Sequence, residues 1–335
     1  MQLSIKLFII SWLSGLICIS CTLPPTHFPQ ATPAPVIKPG AKTQISSISP
    51  SATIPDNSNL APPNQALKPL SSRSAAINAQ LPPSLRSLRD IPAVPGGIAW
   101  ISLPISSPIP PRIWYQQKPV LVLRDGQQWV ALVGIPLQVQ PGVYYVIDSQ
   151  HNNYAFTVYN KQYQVQYVKI NKRNFVNPNP EELQRIQYES KLIATALATP
   201  WRATTYSPLP LKQPIQGKLS SSFGLRRYFN GQPRKPHSGL DIAAPLGTPV
   251  LAPSPGQVVN IGNYFFTGKT VLIDHGQGIV TLYGHLNQIK VIEGQTIEIE
   301  QIIGTVGKTG RATGPHLHWG VSLNQAMINP QLVMQ

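Results

Sequence analysis

The hydrophobic pattern divides the chain into stretches of different kinds. An apolar run from Leu7 to Ile19 follows a short start with one lysine, Lys6. It is too short to span a membrane and has the form of a secretory signal-peptide core, giving a signal peptide over residues 1–21. From 22 to 89 periodicity is lost. Pro, Ser, Ala and Thr dominate, and such a segment buries too little apolar surface to offset its ordering entropy, so a disordered tether is expected. From 92 to 171 short runs such as AWISLPI, PVLVLRDG, QWVALVGIPL and VYYVID are separated by turn-formers, among them Asp125-Gly126 and Pro141-Gly142. In the last of these runs, YQVQYVKI, Tyr163, Val165 and Tyr167 alternate with Gln164 and Gln166, which predicts a half-buried strand. The segment reads as a β-sandwich-like module. A helix is predicted over 178–199, capped by Asn179, with Pro180 at its first position and Glu181 and Glu182 at the positive end of its dipole. Leu183, Ile186, Ile193 and Leu197 are spaced to fall near one face. Strand patterns return over 209–330, in GQVVNIG, KTVLIDHG, GIVTLYGHL and HLHWGVSL. The fold class expected is all-β: a sandwich-like N-terminal domain, a linker helix and a C-terminal antiparallel sheet domain.

Composition narrows the setting. The 335 residues include 36 prolines and carry a formal net charge of +15, which suits a polyanionic partner such as a cell wall or an anionic membrane. No RNA-binding signature, basic helix or phosphate-cradling loop is present, so nucleic acid is not expected as a partner. The only cysteines, Cys18 and Cys21, lie at the end of the apolar run, so an exported mature chain has no internal disulfide and must rest on its core. ICIS-Cys21 resembles a lipoprotein processing site, with Cys18 in place of the usual leucine. That resemblance makes Cys21 the lipidated first residue and a membrane anchor, and Thr22 after it fits the outer membrane of a Gram-negative cell.

Five of the seven histidines lie in the C-terminal region. HSGLDIAAP sets His237 and Asp241 four apart. GPHLHW sets His316 and His318 two apart, on one face of a strand whose other face carries Leu317 and Trp319. Two imidazoles and one carboxylate with an open fourth position are the usual make-up of a catalytic zinc site. The remaining histidines are then free for acid–base work, and His285 in LYGHL is a further candidate. His275, in a predicted hairpin turn, is read as structural, and His151, in SQHNN, as a loop residue.

SSFGLRR, PHSGLDIAAPLGTPV, VLIDHGQGIVTLYGHL and GKTGRATGPHLHWGV, in that order, resemble the lysostaphin-type (LytM-domain) zinc metallopeptidases. The resemblance implies that His237, Asp241 and His318 bind one zinc ion (Zn2+) per chain and that His285 and His316 are catalytic. It implies a peptidoglycan endopeptidase of the periplasm, cutting the D-alanyl–diaminopimelate cross-link rather than a pentaglycine bridge. Some members of the family have lost ligands and act only as regulators of cell-wall amidases. The complete set here argues against that alternative. A third reading makes the protein a structural lipoprotein whose sandwich is the working part.

Overall fold

The structure, a computed structural model, describes residues 81–335. The expected signal peptide, the lipidation at Cys21 and the tether as far as residue 80 lie outside the described residues. The last residues assigned to the tether differ from expectation. Helix α1 (Pro83–Arg86) and a 3-10 turn (Ser87–Asp90) are ordered, and they bury Leu85 and Leu88 in the main core.

The N-terminal module contains strands β1 (Ile98–Leu103), β2 (Ile113–Tyr115), β3 (Lys118–Pro119), β4 (Leu121–Asp125), β5 (Gln128–Gly134), β6 (Gly142–Asp148) and β7 (Asn153–Val158). They form two sheets, β1-β5-β4 and β3-β2-β6-β7, around a core that includes Ile101, Tyr115, Val133, Val146 and Phe156. The β1-β5-β4 sheet is buried on both faces. Ala131 and Val133 face the module's own core, while Ile98, Leu121, Val130 and Leu132 join a larger core shared with the C-terminal domain. This explains why β5 reads as a continuous apolar run instead of alternating.

Strand β8 (Val165–Val168) corrects one expectation. It leaves the sandwich and pairs in parallel with β10 (Arg226–Phe229), Tyr167 opposite Tyr228. Val165 and Tyr167 are exposed, while Gln166 and Val168, on the other face of the strand, line the cleft described below. The alternation identified a strand but could not name its partner. Helix α2 (Pro180–Leu197) has the expected start: Asn179 Oδ1 accepts from the Glu182 backbone N–H, and the Glu182 carboxylate accepts from the Asn179 N–H. Its buried face runs through Ile193, Ala196 and Leu197, whereas Leu183 is exposed.

The remaining strands are β9 (Lys218–Ser221), β11 (Gln232–Pro233), β12 (Leu240–Ala243), β13 (Pro249–Leu251), β14 (Gly256–Tyr264), β15 (Gly268–Gly276), β16 (Ile279–Leu286), β17 (Gln288–Ile289), β18 (Thr296–Ile297), β19 (Ile302–Thr305), β20 (His316–Leu323) and β21 (Ala326–Ile328). The principal sheet runs β18-β14-β15-β16-β20-β12-β9, with β21 on β20. One face packs Trp319, Tyr283, Leu240 and Ile242 into the shared core. The other face packs Leu272, Val280 and Leu282 against α2 and carries the histidines further along the same strands.

Candidate metal centre

Register brings two motifs far apart in sequence into one row. Asp241 on β12 stands opposite His318 on β20, and His318 stands opposite Gly284 on β16, next to His285. His237 precedes β12, its N–H donating to the Leu225 carbonyl at 2.9 Å. Gly239 makes room for this arrangement: a Cβ there would lie 2.6 Å from the Trp319 carbonyl oxygen and 2.8 Å from His318 Cε1.

His237, Asp241 and His318 are all buried, and one ligand atom from each lies within 4.8 Å of the others. His237 Nε2 is 2.9 Å from Asp241 Oδ1 and 3.1 Å from His318 Nδ1, which is itself 2.8 Å from Oδ1. The opposite nitrogen of His237, Nδ1, donates to the Ser222 carbonyl at 2.8 Å, so its Nε2 carries a lone pair. Lone-pair atoms facing one another so closely repel unless a cation lies among them. Their separations are close to the roughly 3.3 Å edge of a tetrahedron with ligand bonds of about 2.0–2.1 Å. The residues therefore fit a divalent metal. The second carboxylate oxygen, Oδ2, accepts from Arg227 Nη2 at 2.9 Å, and the same nitrogen donates to Ser221 Oγ at 2.7 Å.

The electrostatics agree with this role. Burial by itself pushes the Asp241 carboxyl up, but the close polar contacts with the His237 and His318 rings outweigh it and hold the group far below the ordinary carboxylate range. Burial pulls the His237 imidazole down despite the neighbouring carboxylate. Both groups thus stay in the forms that bind cations.

His285 and His316 lie beside the cluster, with ring centroids 4.7 Å apart. His316 Nε2 is 3.9 Å from Asp241 Oδ1. Each ring donates through Nδ1 to a backbone carbonyl, His285 to Thr309 at 2.7 Å and His316 to Gly314 at 2.8 Å, which leaves each Nε2 as the basic nitrogen. Burial first, then the neighbouring His318 and His316, bring His285 down to about 3. His285 also holds a left-handed backbone, φ +62°, fixed by its N–H donating to the Thr267 carbonyl at 2.6 Å. His275 stands apart, wholly buried, bonded to the Pro255 carbonyl and Thr281 Oγ1 at 2.8 and 2.7 Å. His151 is exposed in a turn of the sandwich.

Sequence reading did not single out Arg227, the Ser222 and Thr309 carbonyls, or Arg311. Arg227 lies within the quoted SSFGLRR segment, but only the folded register sets it against Asp241. The carbonyls leave no side-chain signal at all.

Residues 235–330 match the family described as Peptidase family M23, and residues 92–161 match the Peptidase family M23 N-terminal domain. A crystal structure from Pseudomonas aeruginosa described as an M23 peptidase is 41% identical and superposes with a TM-score of 0.62, covering 74% of this chain and 97% of that one. The DD-carboxypeptidase/endopeptidase Mpg of Neisseria meningitidis serogroup B is 41% identical over 116 residues, covering 35% of this chain and 27% of the relative. The peptidoglycan DD-endopeptidase ShyA of Vibrio cholerae is 40% identical over 121 residues, covering 35% of this chain and 28% of the relative. The matched segment thus spans about a quarter of the length of these two curated relatives.

Proposed function

We propose, from the premise that this chain belongs to peptidase family M23, that it is a zinc-dependent endopeptidase hydrolysing peptide cross-links of bacterial peptidoglycan. The observation that carries the reading is the convergence of His237 Nε2, Asp241 Oδ1 and His318 Nδ1, with two further imidazoles beside them. Those three atoms would hold one zinc ion per chain. When bound, zinc supplies Lewis acidity, lowering the pKa of water toward about 7 and polarising the scissile carbonyl. Ser222 fixes the His237 ring and Arg227 fixes the Asp241 carboxylate, so both ligands are pre-oriented. His285 and His316, each held through Nδ1, present Nε2 to accept the proton of the attacking water and return it to the departing amine.

The bond most in keeping with the relatives' descriptions as DD-endopeptidases is the D-alanyl–diaminopimelate cross-link. We further propose an exported, periplasmic protein: a signal peptide over 1–21, a tether beginning at residue 22, the sandwich-like module from residue 92 to the end of β7, the linker helix over 178–199 and the peptidase domain over 209–330. In this reading a lipid on Cys21 holds it to the outer membrane. Among the described residues no helix is long and apolar enough to cross a membrane.

Metal analysis of purified protein and mass spectrometry of digested peptidoglycan test this reading together. The expected results are about one zinc per chain and products ending in a free D-alanyl carboxyl. Asp241→Ala and His318→Ala should each lose most of the metal. A zinc-loaded protein that releases no cross-link fragments would point instead to a regulator. Cys21→Ser should move the protein from the membrane fraction to the soluble one; a wild-type N-terminus without lipid mass would remove the anchor.

A further inference from the structure

The cleft over the metal centre, of about 380 Å3, is lined by three cationic side chains, Arg227, Lys235 and Arg311, and by one carboxylate, Asp241. Asp241 is already engaged through both oxygens, and Arg227 is paired with it. Arg311 is in a different position. It lies between β19 and β20, anchored by its backbone N–H donating to the Phe266 carbonyl at 2.8 Å. Its guanidinium carbon is 4.6 Å from the Phe229 ring centroid and 4.2 Å from that of Phe266. One long contact, 3.4 Å from Nη1 to the Phe175 carbonyl, is its hydrogen bond among the described residues. No carboxylate of the described residues lies within ion-pair distance of it.

Burial, then the nearby Arg227 and Arg234, bring Arg311 down to about 10, so it remains charged at neutral pH. A largely buried cation without a counter-ion is unfavourable for folding alone. The two aromatic rings satisfy the faces of the guanidinium and hold its plane, while the N–H groups at its edge remain for an acceptor in that plane. A carboxylate meets that fork with two parallel hydrogen bonds and a full opposite charge, whereas a neutral amide offers a single acceptor oxygen.

We infer that Arg311 recognises a free carboxylate of the substrate, so that this cleft takes peptides bearing a carboxylate beside the scissile amide and discriminates against neutral glycine bridges. The inference rests on the endopeptidase reading and deepens it. In a D-alanyl–diaminopimelate cross-link, the carbon attached to the scissile nitrogen carries a carboxylate. The amides within a glycine bridge have none.

The test compares two synthetic cross-linked peptides, identical except that one carries this carboxylate free and the other has it amidated. Amidation removes the charge at nearly constant shape. The zinc-loaded full chain should cleave the free acid with a kcat/KM roughly 10- to 100-fold higher, the scale of one charge-assisted hydrogen-bonding contact. Arg311→Gln should bring the two substrates to parity by slowing the acid alone, and Arg311→Lys should retain part of the preference. The ratio is read within one variant and does not depend on how much of that variant folds. Equal rates on both peptides with wild type overturn the inference, as does an Arg311→Gln variant that slows both equally, since that is the mark of a packing role. Calorimetric binding of the two peptides to His316→Ala separates the inference from its premise. Absence of cleavage of either peptide by the wild-type chain, with a preserved binding preference of His316→Ala for the acid, would overturn the endopeptidase reading alone; equal binding would overturn the role of Arg311.

Discussion

Acid should weaken this fold through His275, a residue with no part in the proposed chemistry. Its ring is fully buried. Nδ1–H donates to Pro255, and Nε2 accepts the Thr281 hydroxyl proton, while Thr281 Oγ1 in turn accepts from the Tyr283 hydroxyl at 2.8 Å. Protonating Nε2 would set a new N–H against a hydroxyl whose own proton already points at it, inside a core that offers no water. Burial accordingly pulls the His275 pKa from 6.5 to about 4, only partly offset by the hydrogen bond to the Pro255 carbonyl and by Asp274. Between those values the unfolded chain binds the proton and the folded one does not. The contribution is therefore complete above pH 6.5 and is lost as pH falls toward 4. A separation of about 2.5 units at 1.36 kcal/mol per unit gives about 3 kcal/mol. Urea unfolding at pH 7.5 and pH 4, with chelator present throughout so that metal release does not contribute, measures the loss. The same pair of measurements on His275→Gln isolates the histidine. The wild type should lose about 3 kcal/mol more than the variant across that interval. Equal losses would refute the assignment of a neutral, buried His275.

Three further outcomes follow from the geometry. His285→Ala and His316→Ala should keep their zinc by metal analysis yet lose a factor on the order of 10² to 10⁴ in hydrolysis, the range for a positioned acid–base group; loss of zinc would make them ligands. Because His285 has a left-handed backbone, His285→Gly should be more stable than His285→Ala by roughly 1 kcal/mol in thermal melts, the reverse of what an ordinary strand position would give. Gly239→Ala forces a Cβ against the Trp319 carbonyl and the His318 ring, and should lower zinc affinity while leaving the N-terminal module folded, readable by metal titration and circular dichroism.

The period of two in HLHWGV fixes which side chains of β20 share a face, because strand geometry is local. Pairing is not local: nothing in the spacing of HSGLD and HLHW states that Asp241 and His318 are opposite each other, and that register depends on the whole sheet. The same limit explains β8, whose alternation of Tyr163, Val165 and Tyr167 marks a strand but not its removal from the sandwich to the edge of the cleft. Leu85 and Leu88 were hidden because a helix of one turn in a Pro/Ser-rich setting leaves no periodic trace. Arg311 was hidden because its surroundings come from Phe229 and Phe266, on two other parts of the chain.

The β1-β5-β4 sheet has no outer side, and its end is tied to the peptidase sheet by Asn324, whose Nδ2 donates to the Gly134 carbonyl while its Oδ1 accepts from the Gly134 N–H. Excising the C-terminal domain would therefore leave an apolar wound around Leu323 and Ile328 and strip Asn324 of both its partners. Swapping in a foreign module at the linker would meet the same surface with the wrong shape, and Gly134 admits no side chain there, since a Cβ would lie 2.6 Å from the Leu323 carbonyl oxygen. Chimeras of this protein should aggregate unless that face is redesigned with the graft.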